Sequence, residues 1–150
     1  MGKDIVEIDD KDRLLLDTLK TNSALSMQMI AKKTGIPVAT VHHRIKKLKA
    51  TGIIKRYTID IDEAMLGRKM VVHVLIKATP KSDHTALLGK LMKHEWVEDG
   101  SVITGAFDVI IKVRLADVDA LDQFVLKFMR TFDEIAETQT MIAYRNMMQE

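Results

Sequence analysis

The sequence predicts an α+β chain in two parts, three short helices followed by a β-α-β-β-α-β series. Three observations predict it. Apolar residues recur at helical spacing before residue 50. Beyond residue 68, runs of β-branched residues take turns with helical stripes. Charge divides at the same place: residues 1–60 hold 12 Lys/Arg against 7 Asp/Glu, and residues 61–150 hold 11 against 14. The balances of +5 and −3 sum to the chain's net +2. The 47% hydrophobic and 29% charged composition belongs to a folded chain. At 150 residues it has enough length to bury a core without covalent staples.

The first helix opens near Asp9, whose carboxylate caps free N–H groups, with Asp10 and Asp12 favourable in the first turn. Leu14, Leu15 and Leu19 form its apolar face, with Leu16 on the border. The second starts at Ser26, a good N-cap, and runs through Met29, Ile30 and Lys33. Gly35 ends it, because glycine adopts the left-handed conformation that closes helices. Ile36 and Pro37 make a tight turn into a third helix over about 37–50. There Val38, Val41, Ile45 and Leu48 form one buried stripe at spacings of three, four and three. At ~100° per residue, Ala39, Thr40, His43, Lys46 and Lys47 fall on the opposite face, with His42 and Arg44 on its flanks. The β-branched and aromatic residues 53–59 read as a strand, a candidate wing.

Two helices joined by a glycine turn, the second with a basic outer face, match the helix-turn-helix motif. Its second helix enters the major groove with its N-terminal side chains on base edges. Ala39, Thr40 and His43 are therefore assigned to base reading, and Lys46 and Lys47 mainly to phosphates, with His42 and Arg44 beside them. The helix N-terminus at Ser26 is placed to meet a phosphate, and Lys55 and Arg56 to lie along the duplex backbone. No acid occurs between Asp17 and Asp60, an interval with nine Lys/Arg, so the segment attracts polyanions. An ordinary solvated lysine surface is the alternative. So is a chromatin-like compacting protein that binds all duplexes alike.

After an acidic linker over 60–68, the pattern reads as a strand over 70–78, a helix over 82–93 capped by Ser82 or Asp83, and strands over 97–104 and 107–115. Phe107, Val109, Ile111, Val113 and Leu115 share one face of the latter. A helix over 117–132 follows, with Leu121, Phe124, Val125, Phe128, Met129 and Phe132 as its buried stripe, then a strand over 135–144. This is the ferredoxin-like βαββαβ order, two helices on one face of an antiparallel sheet. The other face would carry Val71, His73, Leu75, Ile110 and Lys112. That mixture suits a sheet-to-sheet dimer contact, or scattered aliphatics on a monomer. The expected division is a winged helix-turn-helix domain over 1–59, the linker over 60–68 and a second domain over 69–150.

Other chemistries find little support. With no cysteine, disulfides, thiolate metal sites and cysteine nucleophiles are excluded. His42 and His43 are adjacent, so one helix face cannot bring both to a metal, and no metal or cofactor is expected. There is no phosphate loop, His-x-x-x-His pair or Ser-His-Asp arrangement to support an enzyme. No apolar run approaches the ~20 residues of a membrane helix. The N-terminus, 1–7, is too charged for a secretion signal, which makes the cytoplasm the expected compartment.

These residues also resemble a known family. Asp9-Asp10-Lys11-Asp12-Arg13-Leu14-Leu15, Ile30-Ala31-Lys32-Lys33-Thr34-Gly35-Ile36, Thr40-Val41-His42-His43-Arg44-Ile45-Lys46-Lys47-Leu48 and Gly52-Ile53-Ile54-Lys55 resemble the Lrp/AsnC (feast/famine) transcription regulators. Thr104-Gly105-Ala106-Phe107-Asp108 and Thr138-Gln139-Thr140-Met141-Ile142 are similar to that family's ligand-sensing domain. The resemblance spans nearly the whole chain, in order and at matching spacing. It implies a sequence-specific regulator binding double-stranded DNA, built from homodimers that assemble to octamers, with an amino-acid effector between subunits. It implies effector contacts at Gly105 and Asp108, with Thr104 and Ala106 beside them. Thr138 and Thr140, sharing one side by period two, would add hydroxyls. An ionised Asp accepts from an ammonium, and backbone N–H groups near a glycine turn receive a carboxylate. Alternatively Gly105 only permits a tight turn and Asp108 only caps it. Two departures stand out. The family usually has Ser or Thr where Pro37 stands, which allows the helix start to shift by a residue. Asp133-Glu134 replaces a Pro-Gly pair common before its last strand.

Overall fold

Asp9 and Asp12 start the first helix by capping each other. In the computed structural model, which describes residues 5–145, α1 spans Asp10–Thr21. The ends of the two expected domains, 1–4 and 146–150, lie outside the described residues, as does most of the stretch read against a secretion signal. The Asp12 N–H donates to Asp9 Oδ1 at 2.9 Å and the Asp9 N–H to Asp12 Oδ2 at 3.3 Å, a reciprocal capping box. The buried face of α1 is Asp12, Leu15, Thr18 and Leu19. Leu14, expected there, is 45% exposed, because the helix turns Thr18 inward instead and satisfies its hydroxyl on the Leu14 carbonyl at 2.8 Å. The second helix, α2, spans Met27–Thr34, with Ser26 Oγ accepting from the Met29 N–H at 3.2 Å. Gly35, at φ 71°, closes it.

The third helix, α3, spans Val38–Ala50. Pro37 occupies the N-cap position in extended conformation (φ −55°, ψ 140°) and offers no side-chain cap. Val41, Ile45 and Leu48 are buried, whereas Val38 is 42% exposed and stands outside the stripe. With Leu15, Leu19, Ile30 and Ile36 they fill the core of this unit. The strand expected over 53–59 is not formed: the Ile54 N–H returns to the Leu48 carbonyl, and residues 55–60 pair with no strand among the described residues. High β-propensity makes a strand only where a partner supplies the ladder.

The chain folds as two compact units that divide at Asp60/Ile61. The expected linker begins the second unit as a closed turn: Asp62 accepts from the Ala64 and Met65 N–H groups, and Arg68 pairs with Glu63. The sheet of this unit holds β1 (Met70–Ala78), β2 (Val97–Val102), β3 (Val109–Leu115) and β4 (Ile135–Ile142) in the antiparallel order β2-β3-β1-β4. This is the ferredoxin-like arrangement expected. Each strand beside the 103–108 turn is two residues shorter than predicted, because those residues leave the ladder. Of the two expected caps, Asp83 serves α4 (His84–Leu91), while Ser82 bonds the Thr79 hydroxyl. Asp117 caps α5 (Val118–Asp122), which continues as a π-helical stretch, Gln123–Phe128, and a 3₁₀ turn, Met129–Thr131. The core lies between sheet and helices, around Val72, Val74, Ile76, Ile111, Leu91 and Phe124.

Candidate functional site

The outer surface of α3 carries the first cluster of candidate residues. Burying Val41, Ile45 and Leu48 leaves Ala39, His42, His43, Lys46, Lys47 and Lys49 exposed. Thr40 and Arg44, on the borders of that face, are half-buried. Pro37 provides no side-chain cap, so the N–H groups of the first turn of α3 meet no competing side chain of that residue. Ser26 is exposed at the head of α2 with its hydroxyl oxygen already accepting from Met29. Lys55 and Arg56 are exposed on the segment that follows α3, where Lys49 stands 4.7 Å from the Tyr57 ring centroid.

Arg44 departs from the expected surface role. Its guanidinium Nη1 lies 2.6 Å from Asp9 Oδ2 and 2.9 Å from Asp12 Oδ1. The sequence marks Asp9 only as the cap of α1 and Asp12 only as a favourable first-turn charge, since a contact spanning 32 residues leaves no local pattern. The one available signal is an arginine beside a buried stripe in a segment free of acids.

The second cluster is the 103–108 turn. The Ile103 N–H donates to the Asp108 carbonyl at 2.9 Å, closing the hairpin. Gly105 has φ 127°, a conformation that L side chains rarely adopt. Thr104, Gly105 and Ala106 are exposed. Asp108 is tied inward: Oδ2 accepts from the Ala78 N–H at 2.9 Å and Oδ1 from Lys77 Nζ at 3.2 Å. The Ala78 N–H, with help from the Lys77 ammonium, holds the Asp108 carboxyl below the usual range, so it is ionised at neutral pH. Asp108 thus anchors the turn to the end of β1 and keeps a negative charge there.

Thr138 and Thr140 share a face, opposite Ile76 and Val74 in the β1 register. That is the helix-covered side of the sheet, since Val74 and Ile76 are core residues. Strand β1 separates β4 from β3 and its turn. One chain therefore does not bring the two threonines to the Gly105–Asp108 turn. Thr138 instead borders a groove of about 540 Å³ between β4 and the π-helical stretch and 3₁₀ turn that follow α5, where Arg130, Asp133 and Glu137 also stand. Asp133 belongs to the Asp133-Glu134 pair already noted as a departure from the family, whereas Arg130 and Glu137 carry no sequence signal of their own.

The open sheet face follows the register, with Leu75 opposite Ile110 and His73 opposite Lys112. Val71, expected to be exposed there, is buried. Lys112 and Arg114 both pair with Glu98, so this face holds an ion-paired cluster with one positive charge in excess, beside apolar Leu75 and Ile110. Among the described residues, no group of three or more His, Asp or Glu could hold a metal ion, and no helix is long and apolar enough to cross a membrane.

Comparison with known proteins places these features. Residues 69–150 match the family model of the Lrp/AsnC ligand binding domain, and residues 8–55 match a winged helix-turn-helix DNA-binding model. The regulatory protein AsnC of Escherichia coli is 32% identical over 139 residues, covering 93% of this chain and 91% of its own length. Its solved structure superposes with a TM-score of 0.87 over 97% of each chain, at 30% identity. An uncharacterised HTH-type transcriptional regulator of Pyrococcus abyssi is 33% identical over 149 residues, 97% of this chain and 99% of its own. A feast or famine regulatory protein of M. tuberculosis, solved in complex with L-methionine, shares the fold with a TM-score of 0.87 at 24% identity, over 96% of this chain and 97% of that one.

Proposed function

Because the chain belongs to the Lrp/AsnC family of transcription regulators, we propose that it binds duplex DNA through the outer face of α3 and that a free amino acid at the 103–108 turn modulates that binding. The chain is a regulator rather than an enzyme. One observation carries the DNA reading: α3 exposes His42, His43, Lys46 and Lys47 on one surface of a unit that has no acid between Asp17 and Asp60. In this reading Ala39, Thr40 and His43 meet base edges, with His42 beside them, and Lys46 and Lys47 meet phosphates. The head of α2 at Ser26, with Lys55 and Arg56, follows the backbone.

The effector reading rests on the ionised Asp108 beside an exposed glycine turn. Free lone pairs on its carboxylate receive an ammonium, and N–H groups around Gly105 receive a carboxylate. The L-methionine complex of the M. tuberculosis relative supports an amino acid as the ligand class. Since β1 separates the turn from Thr138 and Thr140, a ligand that touches both sets needs two subunits. This supports a site at a subunit junction, in homodimers joined through the open sheet face and assembling to octamers.

Selection from a random duplex library tests the first half. The expected result is a consensus duplex that binds far more tightly than an unrelated duplex of equal length. Equal affinity for both would instead identify a compacting protein. A thermal-shift screen of the twenty amino acids tests the second half. A cognate ligand at a hundred times its Kd stabilises by about 2.7 kcal/mol. If none raises the transition and Asp108→Ala leaves DNA binding untouched, the effector reading fails.

A further inference from the structure

Arg44 leaves α3 beside the buried Ile45 and reaches back to the first turn of α1, more than thirty residues earlier. Each carboxylate there spends one oxygen on the partner's backbone N–H and the other on the guanidinium. The result is a closed ring of Asp9, Asp12 and Arg44. Its inner part is sheltered, with the Asp12 side chain 4% exposed and that of Arg44 24%, while that of Asp9, at 54%, faces solvent. The Asp12 N–H, and then Arg44, pull the Asp9 carboxyl below its ordinary range, while Asp12 and then Asp9 raise Arg44. Asp9 and Arg44 are thus held charged.

The side chains that α3 buries in its unit are apolar: Val41, Ile45 and Leu48. Hydrophobic contact is non-directional and tolerates small rotations of a helix about its axis. A charge-assisted hydrogen bond does not. Side-chain tips stand roughly 5–6 Å from a helix axis, so a rotation of about 10° moves them by about 1 Å. That displacement spoils a hydrogen bond to a base edge. The ring is thus the directional element that fixes which side chains of α3 face outward.

We propose that Arg44 is a positioning residue: it does not touch DNA but locks the rotation of α3 against the capped end of α1, and so sets sequence preference. This rests on the DNA-binding reading. The guanidinium also offsets one of the two negative charges that Asp9 and Asp12 place beside α3.

A substitution cycle in the full chain tests it, using the duplex recovered by selection and an unrelated duplex as probes. Arg44→Ala is expected to lower the preference between the two by on the order of tenfold, with the salt dependence of binding unchanged. In an Asp9→Asn/Asp12→Asn background, where the ring is already broken, the same change is expected to matter by less than about twofold. The same loss in both backgrounds, with a salt slope shallower by about one, marks Arg44 as a phosphate contact and overturns the proposal. Arg44→Ala alone leaves Asp12 sheltered and uncompensated. If it does not fold, the triple variant decides: an unaltered preference relative to the parent chain overturns the proposal, and the lowered preference of the double-Asn protein upholds it. If the parent chain binds no duplex, the DNA reading fails separately. Amide exchange then tests the ring alone. Faster exchange along α3 on Arg44→Ala, absent in the double-Asn background, is expected, and equal rates in all variants overturn it.

Discussion

Gly105→Ala isolates the conformational demand of the 103–108 turn from its packing. A Cβ built at Gly105 meets nothing within 4 Å, so the substitution introduces no clash. Its cost comes from φ 127° alone. Holding a non-glycine residue in so sparsely populated a region costs about 1–3 kcal/mol. Alanine also restricts the unfolded chain, which offsets about 0.4–1 kcal/mol. The net expectation is a destabilisation of roughly 1–2 kcal/mol. Gly89 in α4 is the control: its Cβ also meets nothing, and its φ lies outside the glycine-favouring region. Gly89→Ala should stabilise by about 0.5–1 kcal/mol through helix propensity. Two substitutions of identical chemistry in one unit should thus move in opposite directions. The assay is urea unfolding followed by fluorescence of Trp96, the single tryptophan, which lies in this unit and packs against its core. Gly105→Ala stabilising the unit as Gly89→Ala does would refute the geometry assigned to the turn.

Gly100 offers a third case. A Cβ there would stand 2.6 Å from Leu88 Cδ1 and 3.1 Å from Ile111 Cγ2, so Gly100→Ala should cost about 1–3 kcal/mol by overpacking, read in the same unfolding assay. A Leu88→Ala second change should recover part of the loss by removing the closest atom. His94 gives the second unit a pH dependence. Its Nδ1 accepts from the Trp96 N–H at 3.2 Å, and its ring packs against Trp96, Phe124 and Phe128. Burial lowers its pKa below the ordinary 6.5, against an opposing pull from Glu95. The unfolded chain then binds a proton before the folded one does, so the stabilising contribution is complete above pH 6.5 and is lost as pH falls toward the lower folded value. The urea midpoint of Trp96 unfolding should fall between pH 7.5 and 5, and His94→Gln should flatten that dependence.

Much of the fold was legible because it is periodic. Val41, Ile45 and Leu48 repeat at helical spacing, and Val109, Ile111, Val113 and Leu115 at strand spacing, and all seven are buried as read. Non-local partners were not legible. Residues 53–59 have strand composition but find no strand partner among the described residues, and composition cannot announce that. Leu14 lost its place on the buried face of α1 to Thr18, whose hydroxyl is satisfied locally and so does not resist burial. In the sites the same division holds. Exposure of His43, Lys46 and Lys47 follows from the α3 stripe. The Asp9–Arg44–Asp12 ring and the tether of Asp108 to Ala78 do not, because each joins residues at least thirty positions apart. Period two put Thr138 and Thr140 on one side, but only the strand order shows that β1 stands between them and the turn.

The central claim, that α3 presents its basic face to duplex DNA, is tested most directly by the salt dependence of binding to the selected duplex. The parent chain should bind with log K falling linearly in log salt concentration, and Lys46→Ala with Lys47→Ala should flatten that slope by about 0.9 each. A slope unchanged by the two substitutions, or no duplex binding at low salt, would contradict it.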